Sequence, residues 1–484
     1  MSFALLLLNL AVATVPDTYG AGARSMGMGG GGIAMTADPS AAQINPAGLY
    51  EIRHPILAVG AAGVIPTMKD IPDLWWDTNR DGTVDENDPP LQYSAQVDNS
   101  VGGFGGIGRP LGPRFAMGAS FYIPAQRLLR FSTVEPALPN YFMYDNRTQR
   151  YAVSAGLAAQ IVPGLNVGAG VEIVPSAKLD LALTIDAQVV GSGTEGEELS
   201  DLVGDVTVDV HELNADVVPG VAPTAGLQFH LGEYVPAVKG LWFGASFRGS
   251  VALPIDVRLD LQANISAEDI GDLEPIVIAA LLDTGLTLTD HYVPLRVGMG
   301  AAYRPGKILN AYADLYWTNW RPMTLNVARL TSVNVTAPLV ELDDAIVDGN
   351  PYDVTLTPVW SVRTGSEFLL PTVNLKNKFK YLKTAVRVGF QYEPSPLLTQ
   401  GTTSAFLDTD RLGFTAGAGV EFWDPLHLFN GPMHIDVFGQ FHLLASGTLP
   451  RSADTPTAGY PVAASGIPIG GTIAAFGGQW TFEY

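Results

Sequence analysis

Polar and apolar residues alternate along much of the chain from Ile56 onward. In the stretch 411–422 every second residue is apolar, and the stretches 256–262, 310–320 and 434–444 alternate in a similar way. A period of two marks β-strands whose two faces differ in polarity. The pattern therefore predicts a protein built mainly of two-faced strands.

The lengths of the strands and of their connections favour a membrane barrel over a soluble sandwich, which would also alternate. Many candidate strands have about ten residues or more, as a tilted membrane-spanning strand requires. Tight turns, as at 163–164 and 304–307, alternate with long polar connections, and aromatic residues such as Trp317, Trp423 and Trp480 gather near strand ends. The expected fold is an all-β transmembrane antiparallel barrel over residues 55–484.

The number of candidate strands is about fourteen, and bacterial outer-membrane barrels close with an even number. The candidates begin near residues 55, 94, 114, 146, 165, 206, 240, 291, 309, 355, 382, 409, 433 and 468. At the end of the chain Trp480, Phe482 and Tyr484 share one face, which resembles the terminal strand signal of outer-membrane barrels. An ordinary amphipathic strand would give the same alternation.

The composition supports a membrane location. Hydrophobic residues make up 47% of the 484 residues and charged residues 15%, below the roughly 25% of soluble domains. No apolar run is long enough for a membrane-spanning helix, so a closed barrel is the remaining way to satisfy the backbone in lipid. The net charge of −21 argues against nucleic acid as a partner, and the absence of cysteine excludes disulfides.

The N-terminal part of the chain differs from the rest. Residues 1–13 form a short apolar stretch ending in Ala-Val-Ala, which predicts a signal peptide, although a buried strand or helix would also fit. Residues 14–54 are rich in glycine. Because so much glycine does not form a stable isolated helix or strand, we expect this segment to lie inside the barrel as a hatch packed against its walls.

One predicted loop, residues 264–290, has a helix-like pattern. After Ser266, apolar residues repeat at three-four spacing behind a capping-type start. They are Ile270, Leu273, Ile276, Val277, Ala280 and Leu281. An apolar face in a loop between two strands must contact either other loops or an apolar ligand, and both alternatives fit.

An acidic stretch within the predicted loop 66–93 has the spacing of a calcium site, with Gly82 at the tight turn. The candidate ligands are Asp77, Asn79, Asp81, Thr83 through its carbonyl, Asp85 and Asp88. The stretch resembles the calcium loops of EF-hands and dockerins, with Asp88 in place of the usual glutamate. An ordinary acidic turn is the alternative. Ca²⁺ would have a structural role here, and no cofactor is expected to be required.

No motif indicates catalysis, and no catalytic residue is expected. Gly27–Gly32 and Gly103–Gly108 match the glycine spacing of dinucleotide sites, but neither follows a strand and opens a helix as such a site requires. The seven histidines are scattered, and His434 and His442 are expected on a solvated lumen wall. The protein is therefore not expected to be an enzyme.

Two stretches near the N-terminus resemble the hatch of the long-chain fatty acid transporter family, which also includes aromatic-hydrocarbon channels. They are Gly22–Gly30, with the sequence GARSMGMGG, and Asp38–Leu49, which ends in NPAGL. Weaker similarities to the family's strand motifs follow in the expected order, at 292–305, 317–320, 389–396 and 410–414.

The resemblance implies a monomeric barrel in the outer membrane of a Gram-negative bacterium, surrounded by lipid and lipopolysaccharide and inserted by the barrel assembly machinery. In that family apolar outer loops catch a ligand and pass it to a pocket beside the hatch, whose movement opens a route, often sideways through the wall. The candidate gate residues are then Asn45, Pro46, Ala47 and Gly48, and the six apolar residues of loop 264–290 are the candidate capture surface.

The sequence thus favours passive transport of hydrophobic compounds, with a fatty acid, a hydrocarbon or another apolar small molecule as the ligand. A branch of the same superfamily serves as secretion-system accessory proteins and has a similar glycine-rich start that ends in Asn-Pro-Ala-Gly-Leu. A secretion accessory or structural outer-membrane barrel without a lipid substrate is therefore the alternative function.

Overall fold

The structure is a computed structural model in which part of the chain is described. The described residues are 2–5, 15–72, 74–76, 85, 89–91, 93–125, 138–144, 152–174, 185–188, 206–216, 220–267, 276–323, 329–337, 340–341, 354–375, 378–401, 404–426, 429, 431–450, 461–463 and 466–484.

Among these residues, fourteen antiparallel strands form a closed barrel. They are β1 (Ile56–Met68), β2 (Ser100–Pro110), β3 (Phe115–Pro124), β4 (Ala152–Val162), β5 (Leu165–Val174), β6 (Gly220–His230), β7 (Leu241–Arg248), β8 (Leu295–Tyr303), β9 (Leu309–Asn319), β10 (Val359–Leu369), β11 (Tyr381–Glu393), β12 (Arg411–Trp423), β13 (Pro432–Leu449) and β14 (Ile467–Glu483). Each strand pairs with its neighbours along the chain, and β1 pairs with β14 to close the ring. The predicted antiparallel barrel is confirmed.

The connections between strands differ in length at the two ends of the barrel. At the short-turn end, β2 joins β3 through residues 111–114 and β4 joins β5 through residues 163–164. At the long-loop end, the connections include residues 69–99 and 175–219. The chain end also lies at the short-turn end, beside the start of β1. This asymmetry is typical of transmembrane barrels with short periplasmic turns and longer external loops.

The two faces of each barrel strand meet different surroundings. On β12, Arg411 and Thr415 are buried inside the ring, whereas Leu412 and Phe414 are 38% and 51% exposed on the outside. Exposed apolar residues occupy outward positions on other strands as well, among them Leu157, Met299, Val437 and Phe476. An apolar belt around a barrel with a polar interior is the arrangement that contact with lipid requires.

A second sheet continues the wall at the long-loop end. Its strands are Val206–Asp216, Val251–Ala267, Ile276–Val293, Arg329–Ala337 and Val340–Glu341. The first four directly precede or follow β6 to β9 in the chain and pair in the same order, so this part of the wall extends past the ring. The strand expected near residue 206 therefore belongs to the second sheet, and β6 occupies its place in the barrel.

The prediction of a helix in residues 264–290 is wrong. This part of the chain forms a hairpin of two long strands, Val251–Ala267 and Ile276–Val293, which pair along their whole length. The second strand contains four of the six predicted capture residues, namely Ile276, Val277, Ala280 and Leu281. The other two, Ile270 and Leu273, lie outside the described residues.

The prediction is wrong because the spacing of the apolar residues fits both a helix and a strand. Residues 276–282 form an unbroken apolar run, which fits the repeat of a helix as well as that of a strand. The three threonines in residues 283–289 favour a strand, because β-branched side chains fit a pleated surface. The partner strand then satisfies the backbone hydrogen-bonding groups.

The remaining elements are short. Helical turns in the first part of the chain are α1 (Val15–Tyr19), α2 (Ala23–Met26), α3 (Ala41–Ile44) and the 3-10 helix Pro46–Glu51; two further 3-10 turns, Leu231–Glu233 and Pro236–Val238, join β6 to β7. The short strands are Ser2–Leu5 with Ile185–Gln188, Leu74–Trp76 with Pro461–Ala463, Thr355–Leu356 with Leu397–Thr399, and Val373–Asn374 beside β11. Within the described ranges, no helix is long and apolar enough to cross a membrane. Most of residues 1–13, the predicted signal peptide, lies outside these ranges.

Replacing Leu157 by lysine is expected to destabilise the barrel in a bilayer by roughly 2–4 kcal/mol, because Leu157 lies on the outward face near the middle of β4. The free energy of unfolding should be measured by denaturant titration in lipid vesicles. Leu157→Met is the matched control, since it keeps the side chain apolar. Equal stability of the two variants would mean that this face does not contact lipid.

Candidate functional site

Residues 15–54, called here the N-terminal segment, lie inside the barrel. Most residues from Asp17 to Tyr50 are buried, although the segment contains only short helical turns. The 3-10 helix Pro46–Glu51 contacts β3 to β6, whereas α2 contacts β12 to β14 across the ring. The segment therefore reaches from one wall of the lumen to the other.

Glycine allows the segment and the wall to touch backbone to backbone. Gly29 has a φ of 86°, and a Cβ placed there would lie 2.6 Å from the carbonyl oxygen of Thr364 on β10. On the wall side, a Cβ at Gly389 of β11 would lie 2.2 Å from the carbonyl carbon of Met28. A real Cβ does not fit at either distance, so larger residues at these two positions would push the segment and wall apart.

The four candidate gate residues are buried together against β5 and β6. The Asn45 amide donates to the carbonyl oxygens of Ile33 and Leu227 over 2.8 and 3.0 Å, and its side-chain oxygen accepts from the N–H of Ala47 over 3.1 Å. Opposite them, a Cβ at Gly168 would lie 2.3 Å from the backbone of Pro46. Asn45 thus fixes the start of the 3-10 helix and ties it to the wall.

Arg24 connects the segment to a row of charged wall residues. Its Nε and Nη2 donate to the two carboxylate oxygens of Glu367 over 2.9 and 2.7 Å. Glu367 also accepts from Arg387 and Asn310, each over 2.9 Å, and Arg387 donates to Asp436. Such charge-assisted bonds are stronger than neutral ones, so the row holds Arg24 firmly against β10.

Asp17 lies at a second charged centre. Its Oδ1 accepts from Nη1 of Arg248 over 2.5 Å and from Nη1 of Arg296 over 3.1 Å, and Arg248 also contacts Glu172 over 3.3 Å. Burial would raise the pKa of the Asp17 carboxyl, but the charges of Arg248, Arg296 and Arg363 outweigh it and hold that pKa well below its usual range. Asp17 is therefore ionised at neutral pH.

Wall side chains also satisfy the backbone of the segment. The Asp314 carboxylate accepts from the N–H groups of Gly32 and Ile33 over 2.6 and 3.0 Å. The Gln440 amide donates to the carbonyl oxygens of Tyr19 and Met26 over 2.8 and 2.7 Å. These bonds replace those that a longer helix or a sheet would make within the segment.

Two of the cavities that border the N-terminal segment lie beside its charged contacts. An open cavity of about 530 Å³ lies at the short-turn end, with Lys307 of the β8–β9 turn at its rim and Arg24, Glu367 and Asp436 among its lining residues. A smaller cavity of about 40 Å³ lies beside Asp17. The larger cavity is polar and offers space next to the segment.

An apolar cluster faces the segment from the long-loop end. Tyr141, Phe142 and Phe406 of the long connections are buried in it, and Tyr19 and Met26 of the segment belong to the same cluster. The hydroxyl of Tyr141 and the backbone of Gly470 on β14 lie within 3.0 Å of each other, which fixes this loop over the lumen. The segment thus contacts apolar loop residues on one side and a polar cavity on the other.

Sequence reasoning found the Asn45 stretch but not the charged centres around Asp17 and Arg24. Alternation places Arg248 and Glu367 on polar strand faces, yet it does not say which distant residue each one meets. The predicted lumen histidines have local partners: His442 lies 2.9 Å from Gln440, and His434 lies 3.1 Å from Glu483.

The calcium prediction remains a prediction. Asp77, Asn79, Asp81, Thr83 and Asp88 lie outside the described residues, and Asp85 is described as exposed. Within the described part of the chain, no group of three or more acidic or histidine side chains is arranged to hold a metal ion.

No protein-family model and no curated protein matches the chain by sequence. Among solved structures, a FadL homologue from Pseudomonas aeruginosa is similar with a TM-score of 0.55 at 15% identity, and the match covers 96% of this chain and 98% of that one. The chain has the FadL-type barrel fold. The CymD monoaromatic hydrocarbon channel shares this FadL-type fold with a TM-score of 0.50 at 13% identity, over 96% of this chain and 98% of that one.

Replacing Gly389 by alanine is expected to displace the N-terminal segment, because the new Cβ would overlap the backbone of Met28. In planar bilayers the variant should conduct more and fluctuate more than the unchanged protein. Gly439→Ala is the matched control, since a Cβ at Gly439 of β13 meets no atom within 4 Å. If both variants conduct like the unchanged protein, close contact at residue 389 does not keep the segment in place.

Proposed function

We propose that this protein is an outer-membrane channel of a Gram-negative bacterium that passes hydrophobic small molecules by passive diffusion. The N-terminal segment would be its hatch. The observation that carries this proposal is the burial of the segment across the lumen, from the 3-10 helix at β3–β6 to α2 at β12–β14. A barrel filled in this way does not leave a permanent water-filled pore, so passage requires the segment to move.

The apolar cluster supports a hydrophobic ligand. Tyr141, Phe142 and Phe406 are buried at the long-loop end of the lumen, in the same cluster as Tyr19 and Met26 of the hatch. Transfer of an alkyl chain from water into such surroundings is favourable by about 0.8 kcal/mol per CH₂ group. The hydrocarbon channel of the same fold is consistent with this class of ligand. No catalytic role is proposed.

The polar character of the contacts between the hatch and the wall supports the proposal that the hatch moves. Its contacts with the wall include many hydrogen bonds and ion pairs, such as those of Arg24, Asp17 and Asn45. Polar contacts exchange for water at a small net cost when water can reach them. The cavity of about 530 Å³ at the short-turn end leaves space beside Arg24 that water can enter.

Deleting residues 14–50 is expected to make the barrel leaky to small polar solutes. The strands begin at Ile56, so the deletion leaves the ring complete while it removes the hatch. The measurement is ion conductance in planar bilayers, with folding checked by the heat-dependent shift of the band in gel electrophoresis. A folded variant with unchanged conductance would contradict the role of the segment as a hatch.

Cells that carry the protein are expected to take up labelled laurate or toluene faster than cells without it. Gly439→Ala should support the same rate as the unchanged protein, because it lies away from the hatch. If neither compound enters faster, the alternative of a secretion accessory or structural barrel without a lipid substrate is favoured.

A further inference from the structure

The short-turn end of the barrel is rich in positive charge, although the whole chain has a net charge of −21. Exposed lysine and arginine residues lie in or beside four of its turns. They include Arg109, Arg114, Lys239, Lys307, Lys378 and Lys380, called here the basic rim. One of the long connections at the other end, residues 175–219, contains ten acidic residues and one lysine. The two ends of the barrel therefore differ in charge.

The cations of the basic rim have no carboxylate partner within the described part of the chain. Nearby carboxylates contact other cations instead. Glu51 lies 3.5 Å from Arg53, and Glu421 accepts a hydrogen bond from Lys383 over 2.7 Å. The charge of the basic rim is thus available to an anion from outside the chain.

Exposed apolar side chains accompany these cations. Phe115 follows Arg114, Ile308 follows Lys307, and Phe379 lies between the two lysines of the β10–β11 turn. A long cationic side chain can lie along an apolar surface while its charged end reaches a polar layer. Cations interleaved with exposed apolar groups are therefore suited to the boundary between acyl chains and lipid head groups.

Arg109 joins the basic rim to the apolar belt of the barrel. It is in register with Met117 on β3, and Ile107 lies two residues before it on the same outward face of β2. Ile107 and Met117 are both exposed on that face. The basic rim is therefore continuous with the surface that contacts lipid.

Lys380 lies beside an aromatic residue at the end of a strand. Its Nζ is 3.6 Å from the ring centroid of Trp423, the last residue of β12. Its φ is 56°, the one positive φ of a non-glycine residue in the described ranges. Aromatic residues at strand ends mark the level of the lipid head groups in transmembrane barrels. The backbone thus holds this amine at that level.

We propose that the basic rim binds anionic phospholipid in the membrane leaflet at the short-turn end of the barrel. The phosphate of the head group contacts the cations, and the acyl chains contact the apolar belt. A soluble acidic protein would match the charge, but it would not use the continuity between Arg109 and the belt. This binding does not depend on which compound the barrel passes.

Spin-labelled phosphatidylglycerol and phosphatidylcholine test the proposal in phosphatidylcholine vesicles that contain the full chain. Electron paramagnetic resonance measures the fraction of each label that the protein immobilises. One cation near anionic lipid strengthens association about fivefold. Averaged over all lipid positions around the barrel, we expect roughly a threefold preference for phosphatidylglycerol at low salt. Equal immobilisation of the two lipids would overturn the proposal and favour a soluble acidic partner.

Lys307→Gln combined with Lys378→Gln removes two charges from neighbouring turns of the basic rim. This variant should lose about half of the preference, and arginine at the same two positions should keep it. Lys69→Gln combined with Arg321→Gln is the matched control, since it removes two exposed charges at the long-loop end. An equal loss in the control would overturn the proposal, because the total charge of the protein would then attract the lipid.

Salt distinguishes a lipid head group from a free phosphate ion. Sodium chloride and sodium phosphate at equal ionic strength are expected to weaken the preference equally, because exposed charges are screened by ions in general. A stronger effect of phosphate would mean that the basic rim selects the free ion, and it would overturn the assignment to lipid. Folding of each variant is checked by the heat-dependent shift of its band in gel electrophoresis.

Discussion

The backbone of the N-terminal segment must find hydrogen-bond partners outside itself, and the structure of the lumen depends on this constraint. The segment is buried but has only single helical turns, so many of its N–H and C=O groups lack partners within it. The inward faces of the strands supply those partners, as Asp314 does for Gly32 and Ile33 and Gln440 does for Tyr19 and Met26. An apolar inner wall could not hold such a segment, because each unpaired buried group would cost free energy.

A polar contact surface also suits the proposed movement of the segment. When an apolar core opens, its surface meets water at a cost that grows with area. If the segment left as proposed, side chains such as Glu367 and Gln440 would meet water, which offers them new hydrogen bonds. The outward face of the same strands is apolar, with Leu157 and Val437 exposed where a barrel contacts lipid. The alternation of each strand thus separates a permanent apolar surface from an exchangeable polar one.

The sequence predicts the barrel well because each strand carries its own signal. The alternation in residues 411–422 can be recognised without knowledge of any other strand, and the same holds for the aromatic face at Trp480 and Tyr484. The prediction fails where the signal is ambiguous, as in the apolar run 276–282, which fits two periods. The sequence does not predict the charged centres, because Arg24 and Glu367 are 343 residues apart and come into contact only in the folded barrel.

The two charged centres differ in the partners that the wall residues would keep if the segment left as proposed. Glu367 keeps Arg387 and Asn310 as partners when Arg24 departs, and the Arg24 side chain is already 26% exposed next to the large cavity. Arg296 has no ion pair other than the one with Asp17 within the described part of the chain. Loss of one member of a buried pair without replacement costs about 3–5 kcal/mol. Departure of the segment would therefore leave Arg296 without an ion-pair partner, whereas Glu367 would keep two of its partners.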